Sequence, residues 1–509
     1  MRALRGGGVY FEGKSLHQLA DGNSFVPTLI GPRINVRRWI LFLFVLALVV
    51  RLATLGAYPF FATTEPRYAE IARKMLETGN WVTPWFDHGV PFWGKPPLSF
   101  WGSAATMAIF GVNEFGARLA PFLATLAIIA MFRAWPRRDR FDGVLPMAAA
   151  LVMLSSLVGF VASGAVMTDM FMAMGMTASM IGFWVSINDA TGRTYWRWAF
   201  FLGLSLGLLA KGPVATVISG LALTLWVLGS PDSRWKQAWH SLPWLRGLLL
   251  MSVLTLPWYL LAEQRTPGFL QYFIVGEHLQ RFLVSGWTGD LYGAGHAEPR
   301  GLIWWFGFGG FLPWTPVAAL AWLVLHFSRG DGKARLAGVW LKGEWQYLLA
   351  WTLAPILFFT MARNILEAYV LPGLPAFALL SSILMLTAFQ QRAVVRSVWA
   401  LAVLMPLWAS IMLLWFPETP ALRSQKALLE AWEPKSSIYY LGVRPLSANF
   451  YTAGQAQLVD DPTDFDRVTS MTGDVTLVVE QPWLDDLTPQ QLSGWKVVRQ
   501  HAGFTMLHR

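Results

Sequence analysis

Long apolar segments recur along this chain of 509 residues, between Trp39 and Phe416. A helix built from such a segment is long enough to cross a hydrocarbon core of about 30 Å. The composition agrees, since 55% of the residues are hydrophobic, 14% are charged and the mean hydropathy is +0.43. These values exclude an ordinary soluble enzyme and a disordered chain. The sequence therefore predicts an all-α polytopic membrane protein.

The apolar pattern predicts about eleven transmembrane helices. Alternate loops between them carry clusters of Lys and Arg, and the positive-inside rule places these loops and the N-terminus in the cytoplasm. Segment 98–112 is apolar but too short to span, so we expect a re-entrant or juxtamembrane helix there. The predicted spans are residues 39–57, 118–135, 143–160, 169–187, 196–210, 213–229, 245–262, 301–326, 345–361, 369–387 and 397–416.

This topology predicts three parts. A cytoplasmic tail covers residues 1–38, and a transmembrane domain with large outer loops at 57–117 and 262–300 covers residues 39–416. Residues 417–509 are predicted to form a small α/β domain outside the membrane, because the apolar runs there have strand length. Those runs are Ser437–Gly442, Asp474–Glu480 and Trp495–Arg499.

The distribution of charge and the absence of an internal repeat disfavour two classes of function. The formal net charge of +10 arises from Lys and Arg dispersed over short loops rather than massed in one stripe, which argues against a nucleic-acid partner. No internal repeat supports a transporter built from inverted halves. Cysteine is absent, so the chain has no disulfide and no thiolate metal site.

The first outer loop predicts an amphipathic helix on the outer membrane surface. Tyr68, Ile71 and Met75 fall on one face at helical spacing. Thr64 is a suitable N-cap and Gly79 a suitable C-cap. The alternative interpretation is a simple interfacial anchor, which would need no charged motif at its start.

Several polar residues lie at predicted outer ends of spans, and each has a structural alternative. Asp169 begins the fourth span, where an ionisable group is a functional candidate or an acid at a helix start. Lys211 lies in an outer turn and is either functional or a snorkelling lysine. His278 is alternatively a surface or capping residue, and Arg363 an interfacial anchor.

Together these residues predict an anion site. Basic residues on the side that the positive-inside rule leaves poor in them indicate a bound anion, and a phosphate at the membrane surface indicates a lipid phosphate substrate. The outer basic residues are Arg67, Lys95, Lys211, Arg281 and Arg363, and the acids beside them are Glu65, Glu70 and Asp169.

Seven separated blocks resemble, in order, the bacterial polyprenyl-phosphate-sugar glycosyltransferases typified by the lipid A aminoarabinose transferases. These are similar to the dolichyl-phosphate-mannose protein mannosyltransferases of the GT-C fold, and the resemblance covers about residues 39–390. The blocks are TEPRYAEIARKMLETGNWVTP, GKPPLSFW, FGVNEFGARLAPFLA, MTDM, LAKGPVA, EHLQRF and RNILEAYVLPGLPAFALL.

The resemblance implies a membrane glycosyltransferase in the bacterial inner membrane with its active site on the periplasmic face. A polyprenyl-phosphate sugar would be the donor, and a lipid, glycan or protein the acceptor. A departing phosphate needs cations more than a general acid, and carboxylates would assist the acceptor. The implied phosphate-binding residues are Arg67, Lys95, Lys211, Arg281 and Arg363, the implied catalytic carboxylates are Glu65 and Asp169, and further site residues are Tyr68, Glu70, His278 and Tyr369.

Two departures from the family pattern matter. Thr64 stands where the family usually has the Asp credited with catalysis, and a hydroxyl is not a carboxylate base at neutral pH. Either Glu65 or Asp169 supplies the base, or the acceptor needs none, or the protein is a weakened paralogue that binds lipid-phosphate sugars or assists their translocation. Gly94 stands where the family often has a Glu, which leaves His278 as the one candidate ligand for a divalent metal ion.

Overall fold

The computed structural model describes most of the chain. Two parts of the predicted topology lie outside the described residues. They are residues 1–33 of the predicted cytoplasmic tail and the arginine-rich residues 137–140 of a predicted cytoplasmic loop. The described residues are 34–60, 64–136, 141, 143–188, 195–229, 234–284, 287–293, 297–327, 332–415, 424–460, 462–471 and 473–509.

Helices dominate the membrane domain. Short 3₁₀ segments cover Phe132–Ala134, Glu367–Gly373 and Leu401–Val403, and a π-helix covers Gln271–Gln280. The α-helices of this part are α1 (Ile34–Thr54), α2 (Thr64–Thr78), α3 (Leu98–Phe110), α4 (Glu114–Met131), α5 (Leu145–Ser155), α6 (Leu157–Ala162), α7 (Asp169–Asn188), α8 (Tyr195–Lys211), α9 (Val214–Leu228), α10 (Arg234–Ser241), α11 (Trp244–Arg265), α12 (Arg281–Leu283), α13 (Leu302–Gly310), α14 (Trp314–Phe327), α15 (Gly332–Val339), α16 (Glu344–Phe359), α17 (Leu374–Ala388), α18 (Arg392–Ala400) and α19 (Leu404–Trp415).

A small mixed sheet follows the membrane domain, as predicted. Its order is β4-β3-β5-β7-β6, with β3 parallel to β4 and β5, and with β7 antiparallel to β5 and β6. A separate hairpin of β1 (Trp85–Asp87) and β2 (Val90–Pro91) lies in the first outer loop. The C-terminal elements are α20 (Lys426–Leu429), β3 (Ser437–Leu441), α21 (Leu446–Tyr451), β4 (Gln457–Val459), α22 (Pro462–Ser470), β5 (Val475–Glu480), α23 (Gln481–Asp485), β6 (Lys496–His501) and β7 (Phe504–His508).

The protein is a multi-pass membrane protein. Each of the eleven predicted spans coincides with one or more helices. In the described part of the chain, five helices are long and apolar enough to cross a membrane by length and composition, or six if the bent pair α13 and α14 counts as one span. The prediction of eleven spans therefore stays a prediction.

Two predicted spans are broken rather than continuous. The span predicted at 143–160 consists of α5 and α6, and Ser156 between them caps α6 by accepting a hydrogen bond from the backbone N–H of Gly159. The span predicted at 301–326 consists of α13 and α14, which meet at 85°. Pro313 lies in this break, where proline cannot continue a helical hydrogen-bond ladder.

Helix α2 forms where the sequence predicted it. Its apolar face packs in a cluster with Phe92, Phe100 and Tyr292. The charged residues Arg73 and Lys74 are buried as well. Protein therefore covers the apolar face of the helix and also Arg73 and Lys74. The predicted position of the helix on the outer membrane surface stays a prediction.

The C-terminal domain covers the charged face of α2. The guanidinium of Arg444 lies 2.6 Å from Asp87, whose other oxygen lies 3.0 Å from Lys74. Burial alone would raise the pKa of Asp87, but the hydrogen bonds from Arg444 and Lys74 outweigh it and lower the pKa to about 2. Tyr451 accepts a hydrogen bond from the backbone of Phe60. The domain thus helps to fix the outer loop against the membrane helices.

Candidate active site

The site lies where the first outer loop meets the outer ends of α7 and α8 and the π-helix 271–280. Asp169 begins α7 and Lys211 ends α8. The π-helix carries two polar residues of the site or its border, Glu277 and His278, and Arg281 follows it at the start of α12. Isolated π-helical segments often accompany functional sites. Four segments that are far apart in sequence therefore meet at one place.

Lys95 and Arg281 share one carboxylate. The Nζ atom of Lys95 lies 3.2 Å from Glu277, and Nη1 of Arg281 lies 2.9 Å from both carboxylate oxygens. Burial would lower the pKa of Lys95, but the charge of Glu277 outweighs it and raises the pKa. Burial would likewise raise the pKa of Glu277, whereas Lys95 and Arg281 lower it. All three groups are therefore charged at neutral pH.

Asp169 and Lys211 form a second buried ion pair. Both side chains are less than a tenth exposed, and Nζ of Lys211 donates a hydrogen bond to the Asp169 carboxylate. Nζ also lies 4.2 Å from the ring centroid of Tyr369, a cation–π contact. The sequence predicted all three residues for the site, and the structure brings them together.

Arg67 supplies a cation with no carboxylate partner among the described residues. Its Nε atom is buried and has no hydrogen-bond partner. The backbone of Gly293 packs closely on the guanidinium, since a Cβ atom there would lie 3.4 Å from Nη2. A buried, unsatisfied guanidinium nitrogen is costly. Arg67 is therefore the strongest candidate in this site for binding an external anion.

Tyr68 connects these groups. Its side chain is buried and packs edge-to-face on Phe100 with the ring centroids 5.4 Å apart. Burial raises the pKa of Tyr68. Its hydroxyl lies within electrostatic range of four charged side chains, namely Lys95, Arg67, Asp169 and Lys211. These predicted residues therefore form one cluster.

Glu65 has a different environment from that expected of a free base. Arg118 donates to both of its oxygens at 2.7 and 2.9 Å, and the backbone N–H of Val166 donates to one of them. Arg118 is fully buried and also donates to three backbone carbonyls. This saturation favours a structural role for Glu65.

Thr64 begins α2 and lies one helical turn before Arg67, on the side of the helix that faces the site.

Two further predicted residues lie apart from the cluster. Glu70 accepts two hydrogen bonds from Arg73 at 2.6 and 2.8 Å and lies 3.6 Å from Lys74. It therefore belongs to the contact between α2 and the C-terminal domain. Arg363 is exposed, and its backbone carbonyl accepts a hydrogen bond from Glu298. Its neighbour Asn364 contacts Arg281 through the side-chain amide.

The sequence analysis assigned no role to Glu277 or Asp290. Glu277 stands in the EHLQRF block, so its position beside His278 was the available signal. Asp290 lies 3.3 Å from Arg281 and accepts a hydrogen bond from the backbone of Tyr292. Nothing in the sequence around Asp290 indicated this contact, because it depends on how the outer loop folds back.

The described residues do not fit a metal site. Nδ1 of His278 lies 2.7 Å from the carbonyl of Phe273, and Nε2 lies 3.3 Å from the carbonyl of Lys211. Burial lowers the pKa of His278, which favours a neutral ring. Within the described ranges, no three His, Asp or Glu side chains are grouped as metal ligands.

The sequence of this chain is similar to a family of membrane transferases. Residues 35–273 match the family model described as dolichyl-phosphate-mannose-protein mannosyltransferase. The chain is 30% identical over 321 residues to an undecaprenyl phosphate-alpha-4-amino-4-deoxy-L-arabinose arabinosyl transferase from Edwardsiella ictaluri, covering 62% of this chain and 54% of the relative. A second such transferase, from Pseudomonas fluorescens, is 30% identical over 360 residues, covering 68% of this chain and 59% of the relative. The chain thus spans less than two thirds of the length of these relatives.

Solved structures agree. ArnT from Cupriavidus metallidurans, bound to undecaprenyl phosphate, superposes with a TM-score of 0.73 over 92% of this chain and 98% of that chain, at 21% identity. Its apo state gives a TM-score of 0.72 at 20% identity. The chain has the same fold as this transferase and is similar in sequence to the arabinosyl transferases above. The resemblance and fold predicted from the seven sequence blocks are thereby confirmed.

The family match covers only part of the site. Its residues 35–273 include Arg67, Lys95, Asp169 and Lys211. The π-helix residue Glu277 and everything after it lie beyond the match. The structure therefore adds residues beyond the family match, since Glu277 contacts Lys95 and His278 contacts the carbonyl of Lys211.

Proposed function

We propose that this protein is a membrane glycosyltransferase that moves a sugar from a polyprenyl-phosphate donor to a lipid, glycan or protein acceptor. The observation that carries the proposal is the excess of positive charge in a site at the membrane surface. Among the described residues of the site, four cations face three carboxylates, and Arg67 is the cation without a carboxylate partner. The cations are Arg67, Lys95, Lys211 and Arg281, and the carboxylates are Asp169, Glu277 and Asp290.

These charges suit the chemistry of the transfer. The bond between the anomeric carbon and the phosphate oxygen breaks, and the phosphate leaves with the electron pair. The acceptor oxygen forms the new bond, and its proton passes to a base or is already absent. Fixed cations stabilise the charge that develops on the departing phosphate without reorganising. Arg67, Lys95 and Arg281 are the residues proposed for this role.

The base is best sought among carboxylates near the cations. Glu65 is saturated by Arg118. Asp169 is paired with Lys211, and protonation of Asp169 would leave a buried ammonium uncompensated. Asp290 has one ion-pair contact, to Arg281 at 3.3 Å. Asp290 is therefore the proposed base that accepts a proton, whereas Asp169 is proposed to steady the positive charge that develops on the sugar.

Replacing Asp169 by asparagine is expected to lower the transfer rate by about a hundredfold or more while the protein still inserts in the membrane. Asparagine keeps the shape but loses the charge that faces Lys211. Turnover in reconstituted vesicles measures the effect, and membrane fractionation measures insertion. Asp474→Asn, a change at an exposed carboxylate of the C-terminal domain, is the control. Normal turnover in Asp169→Asn would assign Asp169 a structural role.

Donor binding tests the proposal separately from catalysis. We expect Arg67→Ala to weaken binding of undecaprenyl phosphate to the detergent-solubilised protein by about tenfold or more, because it removes a charge-assisted contact. Arg265→Ala is the matched control, since Arg265 is an exposed arginine at the end of α11 on the predicted outer side. Equal binding by wild type and Arg67→Ala would overturn the proposed phosphate site.

The site is proposed to face the periplasm of a bacterial inner membrane. The chain has no native cysteine, so single cysteines report sidedness cleanly. We expect Glu433→Cys to react with an impermeant thiol reagent added to intact cells with a permeabilised outer membrane, and Ala334→Cys to react only after lysis. Both positions are exposed in the structure. The reverse pattern would contradict the proposed orientation.

The alternative is a weakened paralogue that binds lipid-phosphate sugars, and the observation behind it is Thr64 at the family's Asp position. If another carboxylate serves this protein, Thr64→Asp changes turnover little. A gain of about a hundredfold or more, the usual contribution of a general base, would instead establish the alternative. Steady-state rates of wild type and variant under identical donor concentrations make the comparison.

A further inference from the structure

The balance of charge in the candidate active site restricts the sugar that its donor carries. Four basic side chains and three carboxylates of the described residues meet there, so the site carries an excess of one positive charge. Arg67 supplies that excess, because each of the other basic residues contacts a carboxylate. The pairs are Asp169 with Lys211, Glu277 with Lys95 and Arg281, and Asp290 with Arg281.

The three carboxylates already have cationic partners. Both oxygens of Glu277 accept hydrogen bonds from Arg281, and one of them also accepts from the hydroxyl of Tyr272 at 3.2 Å. One oxygen of Asp290 lies 3.3 Å from Arg281, and the other accepts a hydrogen bond from the backbone of Tyr292. An ammonium group on a ligand would therefore have to compete with fixed cations for these carboxylates.

Two nearby acids on α2 have partners of their own. Glu65 pairs with Arg118 at 2.7 Å, and Glu70 pairs with Arg73 at 2.6 Å. The residues of the two large outer loops that lie outside the described part of the chain include no Asp or Glu in their sequence. They are residues 61–63, 285–286 and 294–296. These acids and these segments therefore leave the positive excess of the site unchanged.

The phosphate of the donor balances this excess. A sugar joined to a polyprenyl phosphate forms a phosphodiester, which carries one negative charge at neutral pH. With this group bound beside Arg67, a neutral sugar leaves the charges of the site balanced. A protonated amino group on the sugar would instead restore an uncompensated positive charge beside Asp169 and Lys211, which are each less than a tenth exposed. An uncompensated charge in such surroundings is costly.

We propose that the donor of this transferase carries a neutral sugar rather than an amino sugar. The inference rests on the transferase function proposed above and specifies its donor. The donor would thus differ from the 4-amino-4-deoxy-L-arabinose that the names of the relatives specify. Tyr68 and Tyr369 bring neutral hydroxyl groups to the same cluster, and such groups donate hydrogen bonds to sugar hydroxyls and accept them.

Competition binding tests the proposal with two donors that differ in one group. Each donor displaces radiolabelled undecaprenyl phosphate from the detergent-solubilised protein, and one carries L-arabinose whereas the other carries 4-amino-4-deoxy-L-arabinose. We expect the L-arabinose donor to bind about tenfold more tightly or better, because juxtaposed like charges are unfavourable.

The pH dependence of this preference provides a second readout without a variant. Raising the pH above the pKa of the sugar amine should remove the preference, since the ammonium then loses its proton. The arginines of the site stay charged. Burial would lower the pKa of Lys95, but Glu277 raises it above its usual value, so this cation also keeps its charge.

A carboxylate added to the site should weaken the preference. Thr64→Asp places one a helical turn before Arg67, and we expect it to narrow the difference between the two donors by about tenfold. Gln264→Glu is the matched control, since it adds the same charge at an exposed position near the end of α11 on the predicted outer side.

The outcomes separate this inference from the proposed function. A preference for the L-arabinose donor that narrows at high pH and in Thr64→Asp, but not in Gln264→Glu, supports the inference. Equal binding of the two donors by the wild type would overturn it and leave the proposed function intact. A preference that neither high pH nor Thr64→Asp narrows would assign the discrimination to shape and overturn it as well. Failure of undecaprenyl phosphate itself to bind would contradict the proposed function and remove the inference with it.

Discussion

Replacing Lys95 by alanine is expected to lower kcat for sugar transfer by about two to three orders of magnitude. Lys95 is one of two cations bound to Glu277, so its loss leaves that carboxylate to Arg281 alone. Arg281 then neutralises Glu277 more fully and offers less positive charge to the departing phosphate. The variant loses both the direct effect of the ammonium and part of the effect of its neighbour.

The measurement is the single-turnover rate with saturating donor, so that a change in donor binding does not conceal the change in chemistry. Lys435→Ala is the matched control, because Lys435 is an exposed lysine of the C-terminal domain and lies outside the site. A Lys95→Ala variant with the wild-type single-turnover rate would contradict the role assigned to the cation cluster.

The second large effect concerns stability. We expect Glu65→Ala to lower the free energy of unfolding by roughly 3–5 kcal/mol, because it leaves the fully buried Arg118 without a counter-charge. Three backbone carbonyls still accept hydrogen bonds from Arg118, but they do not neutralise it. The thermal midpoint of the detergent-solubilised protein, followed by the loss of the monodisperse fraction, provides the readout.

Glu77→Ala on the same helix is the matched control. Glu77 also pairs with an arginine, Arg73, at 3.0 Å, but its side chain is 43% exposed. Exposed pairs contribute about 0–1 kcal/mol, so this variant should unfold nearly as wild type does. A Glu65→Gln protein that is as stable as wild type but has lost turnover would instead assign Glu65 a catalytic role.

Sequence reasoning predicted the helical segments well because their signal is local. The spacing and composition of a few neighbouring residues predict helix α2, its end at Gly79 and strand β5. The strands β4 and β7 were missed. Strand β4 has only three residues, and β7 follows β6 after a tight turn, so neither produced a separate apolar run.

The pairing of charges was less accessible from the sequence. Asp169 and Lys211 are separated by 42 residues, and Glu65 and Arg118 by 53. The sequence placed Glu65 and Asp169 beside the same predicted cations. No local pattern therefore shows that Arg118 occupies the carboxylate of Glu65 whereas Asp169 belongs to the site. Arg118 itself lies within an apolar span, where its burial against Glu65 depends on how the outer loop folds.

Docking of the C-terminal domain was also not predicted. It depends on contacts between segments more than 300 residues apart, such as Lys426 with Glu114 at 2.6 Å and Arg444 with Asp87. An amphipathic pattern does not reveal which partner covers the polar side of a helix such as α2. The covering domain explains why Arg73 and Lys74 are buried.

The central claim is that the cation cluster at the outer ends of α2, α7 and α8 serves sugar transfer from a polyprenyl phosphate. The most direct measurement is transfer of radiolabelled sugar from undecaprenyl-phosphate donors by the purified protein in lipid vesicles, scored against lipid, glycan and peptide acceptors. We expect transfer to at least one acceptor class, with release of undecaprenyl phosphate and loss of both products in Lys95→Ala. Tight donor binding without release of undecaprenyl phosphate in any combination would contradict it.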